Sequence, residues 1–595
     1  MMVAGGVSTL NTRDKLDLQH LRLATSSLAG LLLLANGCTR TATCLDDDCA
    51  DDGGTDTGGD DTDDTDDTDD TGGELPLPVS RDVDILFVID NSGSMGEEQA
   101  TFAANVASFI DVLEAEEIQA NYRIGVTTTD SGNLWCPTST PEAGNLVMSS
   151  CKNRLNDFVF NNGEIDVRDL ACNDICTLTE AELEILPTTT DFDAVAKPRP
   201  WLERIQGVKN IPESTDTAAA FACFGPQGIN GCGFESQLES MYLALIRSQS
   251  TDEESYGFMR PTAILAVVFV TDEADCSYNK SYSEIFEQNG NKVFWSDPAD
   301  SSPTSAVCWN AGVECIGDPS NYDSCSSANK DLDGNVGVSD AEAVLHPMSR
   351  YIELLDELEQ EKQQYDHENE IIVGVIGGVG ADGQALYADV SGTDPEFQHS
   401  FGIGPGCQAP NPLDPDSPSE AVPPVRLLEL TEEFTPGNLF SICAQDYSPA
   451  LQAIADSIQY QLSPACYTQC AKDTDPDTAV LDPECEVLED PPGNDNTVVM
   501  QECLRDQNGY AIDPQSNDYA MPSDEVNVCY ALLVDPDGLT TDLNDDMSDR
   551  CVDLHYNLEF KVARRPGFPA DSGTSVSASC SLADFPELSC PGIGG

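Results

Sequence analysis

The sequence predicts an α/β fold: a doubly wound, mostly parallel sheet with long disulfide-rich insertions, followed by a small Cys-rich, β-rich C-terminal module. Three observations carry this. Apolar strand-like runs alternate with amphipathic helix-like stretches from about residue 80 to residue 462. Several of those runs are apolar on both faces, as central strands covered by helices on two sides must be. The chain also holds 23 cysteines without a repeated C-x-x-C pair of zinc spacing, which points to an oxidised, exported protein stapled by disulfides.

The expected strands are Val83–Ile89, Tyr122–Thr128, Ala263–Val270, Ile371–Ile376 and Val425–Leu430. Between them, apolar residues at helical spacing predict helices over Gln99–Leu113, Phe234–Arg247, Ala341–Leu358 and Ser448–Gln461. Three long insertions, at about 130–233, 276–340 and 380–424, each follow the C-terminal end of an expected strand. That edge of a parallel sheet is where ligands bind. Ten cysteines from Cys136 to Cys325 suffice for five bridges stapling the added loops, with pairing undetermined. From residue 463 to 595 the texture becomes short segments rich in Pro, Asp and Cys. Eight cysteines there suffice for four bridges, and Asn557–Val562 reads as a strand.

The N-terminal region predicts export. Arg13, Lys15 and Arg22 precede an apolar run from Leu23 to Ala35, which closes on Ala35-Asn36-Gly37-Cys38. The run is short for a membrane span. Leu-Leu-Leu-Leu-Ala-Asn-Gly-Cys resembles a bacterial lipobox, which implies that residues 1–37 are a signal peptide and that Cys38 is the lipid-modified first residue. The expected location is then the bacterial cell envelope, as an outer-membrane or surface lipoprotein that meets the membrane only through its lipid anchor. Residues 38–79 read as an acidic disordered linker, because Asp46 to Glu74 hold fourteen Asp, one Glu and no Lys or Arg.

The whole chain carries 106 acidic and 27 basic residues, a formal charge of -79. Nucleic acid and anionic membrane surfaces are disfavoured partners, since phosphate binding requires clustered Lys and Arg. Enzymatic motifs are missing as well. Only five histidines occur, with no H-E-x-x-H, no G-x-S-x-G and no phosphate-cradling Gly loop with Lys, so a non-enzymatic role is expected.

The most informative segment is Asp82-Val-Asp-Ile-Leu-Phe-Val-Ile-Asp90-Asn-Ser92-Gly-Ser94-Met95, where an apolar run ends in three oxygen-bearing side chains at alternate positions. Hard divalent cations take such ligands. This Asp-x-Ser-x-Ser loop resembles the metal-ion-dependent adhesion site (MIDAS) of the von Willebrand factor type A (vWA) domain. The resemblance covers most of residues 80–462, through Tyr122-Arg-Ile-Gly-Val-Thr, Gly231-Cys-Gly-Phe-Glu235, Val268-Phe-Val-Thr-Asp272 and the strand from Ile371. It implies a vWA-like fold in which Ser92 and Ser94 hold a metal directly, and Asp90 and Asp272 hold it directly or through water. The implied ion is Mg2+, with Mn2+ or Ca2+ as substitutes, and the open coordination position would take a carboxylate from a protein or other acidic ligand. One place departs from the family. Its second loop normally supplies a Thr, but Gly228–Glu235 holds none, leaving Asn230 or Glu235 as possible additional ligands. Adhesion or assembly at the envelope is the implied function; the alternative is a structural envelope protein using the fold as a scaffold with a degenerate metal site.

A second segment, Asp331-Leu-Asp333-Gly-Asn335-Val-Gly-Val-Ser339-Asp-Ala-Glu342, resembles an EF-hand loop. Val336 stands where that loop needs its turn glycine, so Asp331, Asp333, Asn335, Ser339 and Glu342 form a weak calcium candidate beside the plainer reading of an acidic loop leading into a helix.

Overall fold

The computed structural model describes residues 75–77 and 82–591, except 116–117, 119, 191, 365–368, 412–417, 463–464, 476–480, 492–496, 507–508, 515–517, 535–545, 549–550, 553, 566–567 and 569–573. The expected signal peptide, the lipidation candidate Cys38 and the acidic stretch Asp46–Glu74 lie outside the described residues.

β1 is Leu75–Leu77. The main sheet is built from β2 (Asp82–Ile89), β3 (Asn121–Thr128), β4 (Leu202–Ile205), β5 (Val208–Lys209), β6 (Ile264–Val270), β7 (Ile372–Gly377) and β8 (Leu439–Ser441). Its seven strands run in the order β8-β7-β6-β2-β3-β4-β5. β8, β7, β6, β2 and β3 are parallel, and β4 pairs antiparallel with β3. The chain leaves β2 towards β3 and later returns to β6 on the other side of β2. The C-terminal end of β2 is therefore the switch point of the topology, the place where parallel α/β sheets put their ligands.

Helices cover both faces. α1 (Gly96–Asn105), α2 (Ala107–Leu113) and α6 (Ser448–Gln461) pack on one, burying Phe102, Phe109 and Ile454 against Val83, Ile85, Phe87 and Ile89. α3 (Gln237–Ser248), α4 (Ser349–Lys362) and α5 (Val425–Phe434) pack on the other, burying Met241, Leu355 and Leu427 against Leu86, Val88, Val267 and Phe269. Alternate strand residues thus serve opposite layers, which explains the unbroken apolar runs. No helix among the described residues is long and apolar enough to cross a membrane.

Four of the five expected strands form at their expected places. The fifth does not: Val425–Leu430 is the start of helix α5, and the sheet's last strand is β8. A short apolar run does not distinguish strand from buried helix, and Pro423–Pro424 ahead of a Leu- and Glu-rich stretch favours a helix start. α5 accordingly buries Val425, Leu427, Leu430 and Thr431 on one side. The expected helix at Ala341–Leu358 begins later, at Ser349 just after Pro347.

All ten cysteines from Cys136 to Cys325 are paired, as Cys136–Cys232, Cys151–Cys172, Cys176–Cys223, Cys276–Cys308 and Cys315–Cys325. Cys407–Cys443 ties the third insertion to the end of β8. The C-terminal eight form Cys466–Cys551, Cys470–Cys590, Cys485–Cys580 and Cys503–Cys529.

The C-terminal region is β-rich. β9 (Ala465–Cys466), β14 (Glu559–Arg564), β13 (Val528–Leu533) and β12 (Gln501–Glu502) form one four-stranded sheet. The other consists of β1, β15 (Ser575–Cys580), β10 (Cys485–Asp490) and β11 (Val498–Val499). Residues 75–77 of the expected linker are therefore a strand of this module, with Leu75, Pro76 and Leu77 opposite Ala578, Ser577 and Val576 and Leu77 buried in its core.

Candidate metal centre

The backbone N–H of Asp90 continues the sheet ladder by donating to Val270 O (2.9 Å), so Asp90 is fixed at the sheet edge before the chain turns. Its side chain is fully buried, and Oδ1 accepts from Ser92 N (2.9 Å), the local turn that Asp favours. Gly96 N then donates to Ser94 O (3.0 Å) and α1 begins. The turn leaves Ser92 Oγ and Ser94 Oγ 3.1 Å apart, while Met95 packs in the core.

Two further segments close on this loop. Gln99, buried in α1, clamps the second one. Its Nε2 donates to Asp90 O (2.7 Å) and Gly228 O (2.6 Å), and its Oε1 accepts from Gln227 N (2.7 Å) and Gly228 N (3.0 Å). Gly231 N donates to Asn91 O (2.8 Å) and lies so close that a Cβ there would fall 2.3 Å from Asn91 Oδ1. The third segment follows β6. Thr271 Oγ1 donates to Asp90 Oδ2 (2.6 Å), Thr129 Oγ1, from just after β3, donates to Asp90 Oδ1 (3.4 Å), and the Asp272 carboxyl is close enough to Ser94 and Asp90 to feel both. Asp90, Ser92, Ser94 and Asp272, drawn from segments far apart in sequence, are thereby gathered at one edge.

The two additional candidates diverge. Asn230 is exposed, and its Nδ2 donates to Asp157 Oδ1 (3.1 Å). Glu235 is buried, and its Oε1 has no hydrogen-bond partner. Asp272 Oδ1 and Glu98 Oε2 are likewise buried without a partner. Asp275, close in sequence, braces the fold instead, pairing with Arg426 (2.8 Å) and accepting from Leu238 N (3.0 Å) at the start of α3.

Burial raises the carboxyl groups here, because a charged carboxylate loses its hydration. Asp90 is raised by burial, offset by its hydrogen bonds from Thr271 and Ser92. Asp272 is pushed up to about 8, by burial first and then by the Asp90 charge. Glu235, Glu273 and Glu98 are raised well above the usual range by burial and by the neighbouring carboxylates. Buried carboxyls that hold their protons for want of a compensating charge, with orphaned oxygens among them, fit displacement of those protons by a hard cation. Hydroxyls and carboxylates are the oxygen donors that Mg2+, Ca2+ and Mn2+ take. Among the described residues, no group of three or more His, Cys, Asp or Glu side chains is arranged to hold a metal, so an ion here would depend on the Ser92 and Ser94 hydroxyls and on water.

The EF-hand-like loop satisfies its own oxygens. Asp331 Oδ1 accepts from Asp333 N and Asn335 N (both 2.9 Å), and Asn335 Nδ2 donates to Asp331 Oδ2 (2.9 Å). These bonds hold the Asp331 carboxyl below its usual value, that from the Asn335 side chain first. Glu342 Oε2 accepts from Ser339 Oγ (2.6 Å), and Asp333 Oδ1 accepts from Asn291 Nδ2 (3.2 Å).

Four residues around the cage escape a reading by motif: Gln99, Glu98, Thr129 and Thr271. Thr271 directly precedes Asp272, and Thr129 ends the run after β3, so hydroxyls at strand ends were the available signal. Gln99 and Glu98 carried none.

No family model matches the chain, and no curated protein does. Among solved structures it is similar to the pilus adhesin SpaC from Lactobacillus rhamnosus GG, with 9% identity and a TM-score of 0.23, covering 85% of this chain and 40% of that one. The open conformation of SpaC gives 10% identity and a TM-score of 0.25 over 85% and 39% of the two chains. The pilus adhesin RrgA from Streptococcus pneumoniae gives 12% and 0.22, over 86% and 58%. The chain thus spans about two fifths of the length of SpaC, and similarity at this level assigns it neither a fold nor a role.

Proposed function

We propose that residues 80–462 are a vWA-like domain whose MIDAS-type edge takes up a divalent cation, Mg2+ first, and uses it to bind an acidic group of a protein or other ligand at a bacterial cell envelope, in adhesion or assembly. The observation that carries this reading is Asp272. Its carboxyl is buried and close to Ser94 and Asp90, yet Oδ1 has no partner, a costly arrangement for a carboxylate without a cation. Ser92 and Ser94 would hold the ion through their hydroxyls, with Asp90 and Asp272 holding it directly or through water and Glu235 supplying a further oxygen in place of the missing Thr. When bound, the ion supplies positive charge at a sheet edge that is otherwise acidic. Asp90 and Gln99 keep the loop in shape, and Thr129 and Thr271 orient the Asp90 carboxylate. Cys38 as the lipid attachment, and a non-enzymatic role, belong to the same proposal.

The competing reading is a structural envelope protein with a degenerate site, favoured by Asn230 turning to Asp157. Calorimetric titration of Mg2+ into the full mature chain, beside Asp90→Ala and Ser92→Ala/Ser94→Ala, separates the two. Saturable heat in the parent that is lost in both variants is expected. Equal heats in all three leave only the scaffold reading.

A further inference from the structure

The hairpin Val159–Phe160/Ile165–Asp166 in the first insertion lies directly on the candidate metal loop. Gly93, between Ser92 and Ser94, lets the Phe160 ring approach so closely that a Cβ on residue 93 would sit 3.0 Å from it. Val167, just after the hairpin, packs equally tightly on Gly96. The preceding turn is fixed to the second loop, since Ile229 N donates to Asp157 O (2.6 Å). The hairpin is thus locked to both loops of the cage, and the apolar side chains it carries there are uncovered. Phe160 is 39% exposed, and Ile165, opposite it in register, is 37% exposed. Singly exposed apolar residues are ordinary. A cross-strand pair held against the glycine between two candidate metal hydroxyls is placed for contact.

The local charge says what kind of contact. Glu164 and Asp166 flank the pair, Arg168 is engaged by Asp166, and the chain as a whole carries -79. A ligand recognised by negative charge alone would be repelled at every point except the cation. Specific binding then requires a second, uncharged source of affinity beside the carboxylate, and Phe160 with Ile165 supplies one.

Resting on the cation-dependent reading above, we propose that the ligand is a protein segment in which the metal-seeking Asp or Glu stands next to a large apolar residue, and that this residue packs on Phe160 and Ile165. Burying one such side chain against the pair corresponds to about tenfold or more in affinity.

The test uses the full mature chain and two end-capped peptides, Ser-Leu-Glu-Leu-Ser and Ser-Gly-Glu-Gly-Ser, titrated in Mg2+ and in EDTA. The expected result is binding in Mg2+ alone, with the Leu-flanked peptide about tenfold tighter. Phe160→Ser and Ile165→Ser should each erase that preference while keeping the parental melting temperature and the heat of Mg2+ uptake. Equal affinities for the two peptides, a preference that survives both substitutions, or binding of neither peptide by a chain that takes up Mg2+ overturns the apolar subsite and leaves cation uptake standing. Absence of Mg2+ uptake, or peptide binding indifferent to EDTA, overturns the cation-dependent reading and the subsite with it.

Discussion

Replacing Asp272 by Asn should stabilise the cation-free protein while abolishing its response to Mg2+. In the folded chain burial, with Asp90 beside it, pushes the Asp272 carboxyl up to about 8, whereas an Asp in an unfolded chain titrates near about 3.9. Between those values the unfolded chain has released the proton and the folded chain retains it. Stability therefore falls as pH rises from about 4 to about 8, by about 1.4 kcal/mol per pH unit. At pH 7 the interval is roughly three units, so the penalty on the folded state is of order 4 kcal/mol. Asn is nearly isosteric, carries no charge and can donate to Asp90, so Asp272→Asn removes most of that penalty. Urea denaturation followed by tryptophan fluorescence reads the effect in the right place, because Trp135, Trp201, Trp295 and Trp309 all lie within residues 82–462. In EDTA the variant should exceed the parent by up to about 4 kcal/mol at pH 7 and match it near pH 4. Mg2+ should raise the parent, by competing for the carboxylate, and leave the variant unchanged. A variant no more stable than the parent at pH 7 in EDTA, or one that Mg2+ stabilises equally, would refute the reasoning.

Two further outcomes are expected away from the cage. Arg260 is buried at the opposite edge of the sheet, paired with Asp82 (3.0 Å) and Asp84 (2.7 Å) and donating to Val83 O and Asn121 O (both 2.9 Å). Arg260→Met leaves a buried carboxylate uncompensated and should cost about 3–5 kcal/mol in the same denaturation assay, with Mg2+ uptake by the surviving folded protein intact. Leu77→Ala empties a place in the C-terminal module and should cost that module about 2–4 kcal/mol, read by hydrogen exchange of its Cys485–Asp490 and Ser575–Cys580 amides, while the tryptophan transition stays where it was.

Much of the α/β domain was legible because its chemistry is local. Val83–Ile89 and Ile264–Val270 are apolar on both faces, and only a central strand between two helical layers uses such a run. Asp90, Ser92 and Ser94 follow the first of these within one turn, so their convergence needs no long-range information. The misread Val425–Leu430 shows the limit of that logic. Six residues contain too little of either period to separate strand from helix, and the decision falls to tertiary packing against β7 and the Asn321–Ser327 strand of the second insertion. Glu98 and Gln99 were opaque for another reason. An acidic and an amide residue in the first turns of a helix read as solvent-facing until the insertions and the second loop are folded over them. The disulfide partners were equally beyond reach, since ten cysteines fix how many bridges can form but not which ones do.

The placement of β1 has a mechanical consequence. α6 ends beside the start of β7, where Glu370 N donates to Gln461 Oε1 (3.2 Å), and β2 begins at that same end of the sheet, so both connections to the Cys-rich module depart from the side opposite Asp90. On the proposed function, load applied to a ligand at the Asp90 end would travel lengthwise down the parallel strands, whose ladders share it in shear. It would then divide between two exits, one of them only three residue pairs deep, Leu75–Leu77 against Val576–Ala578. That short seam is where a pull between the two ends of the described protein would first be felt.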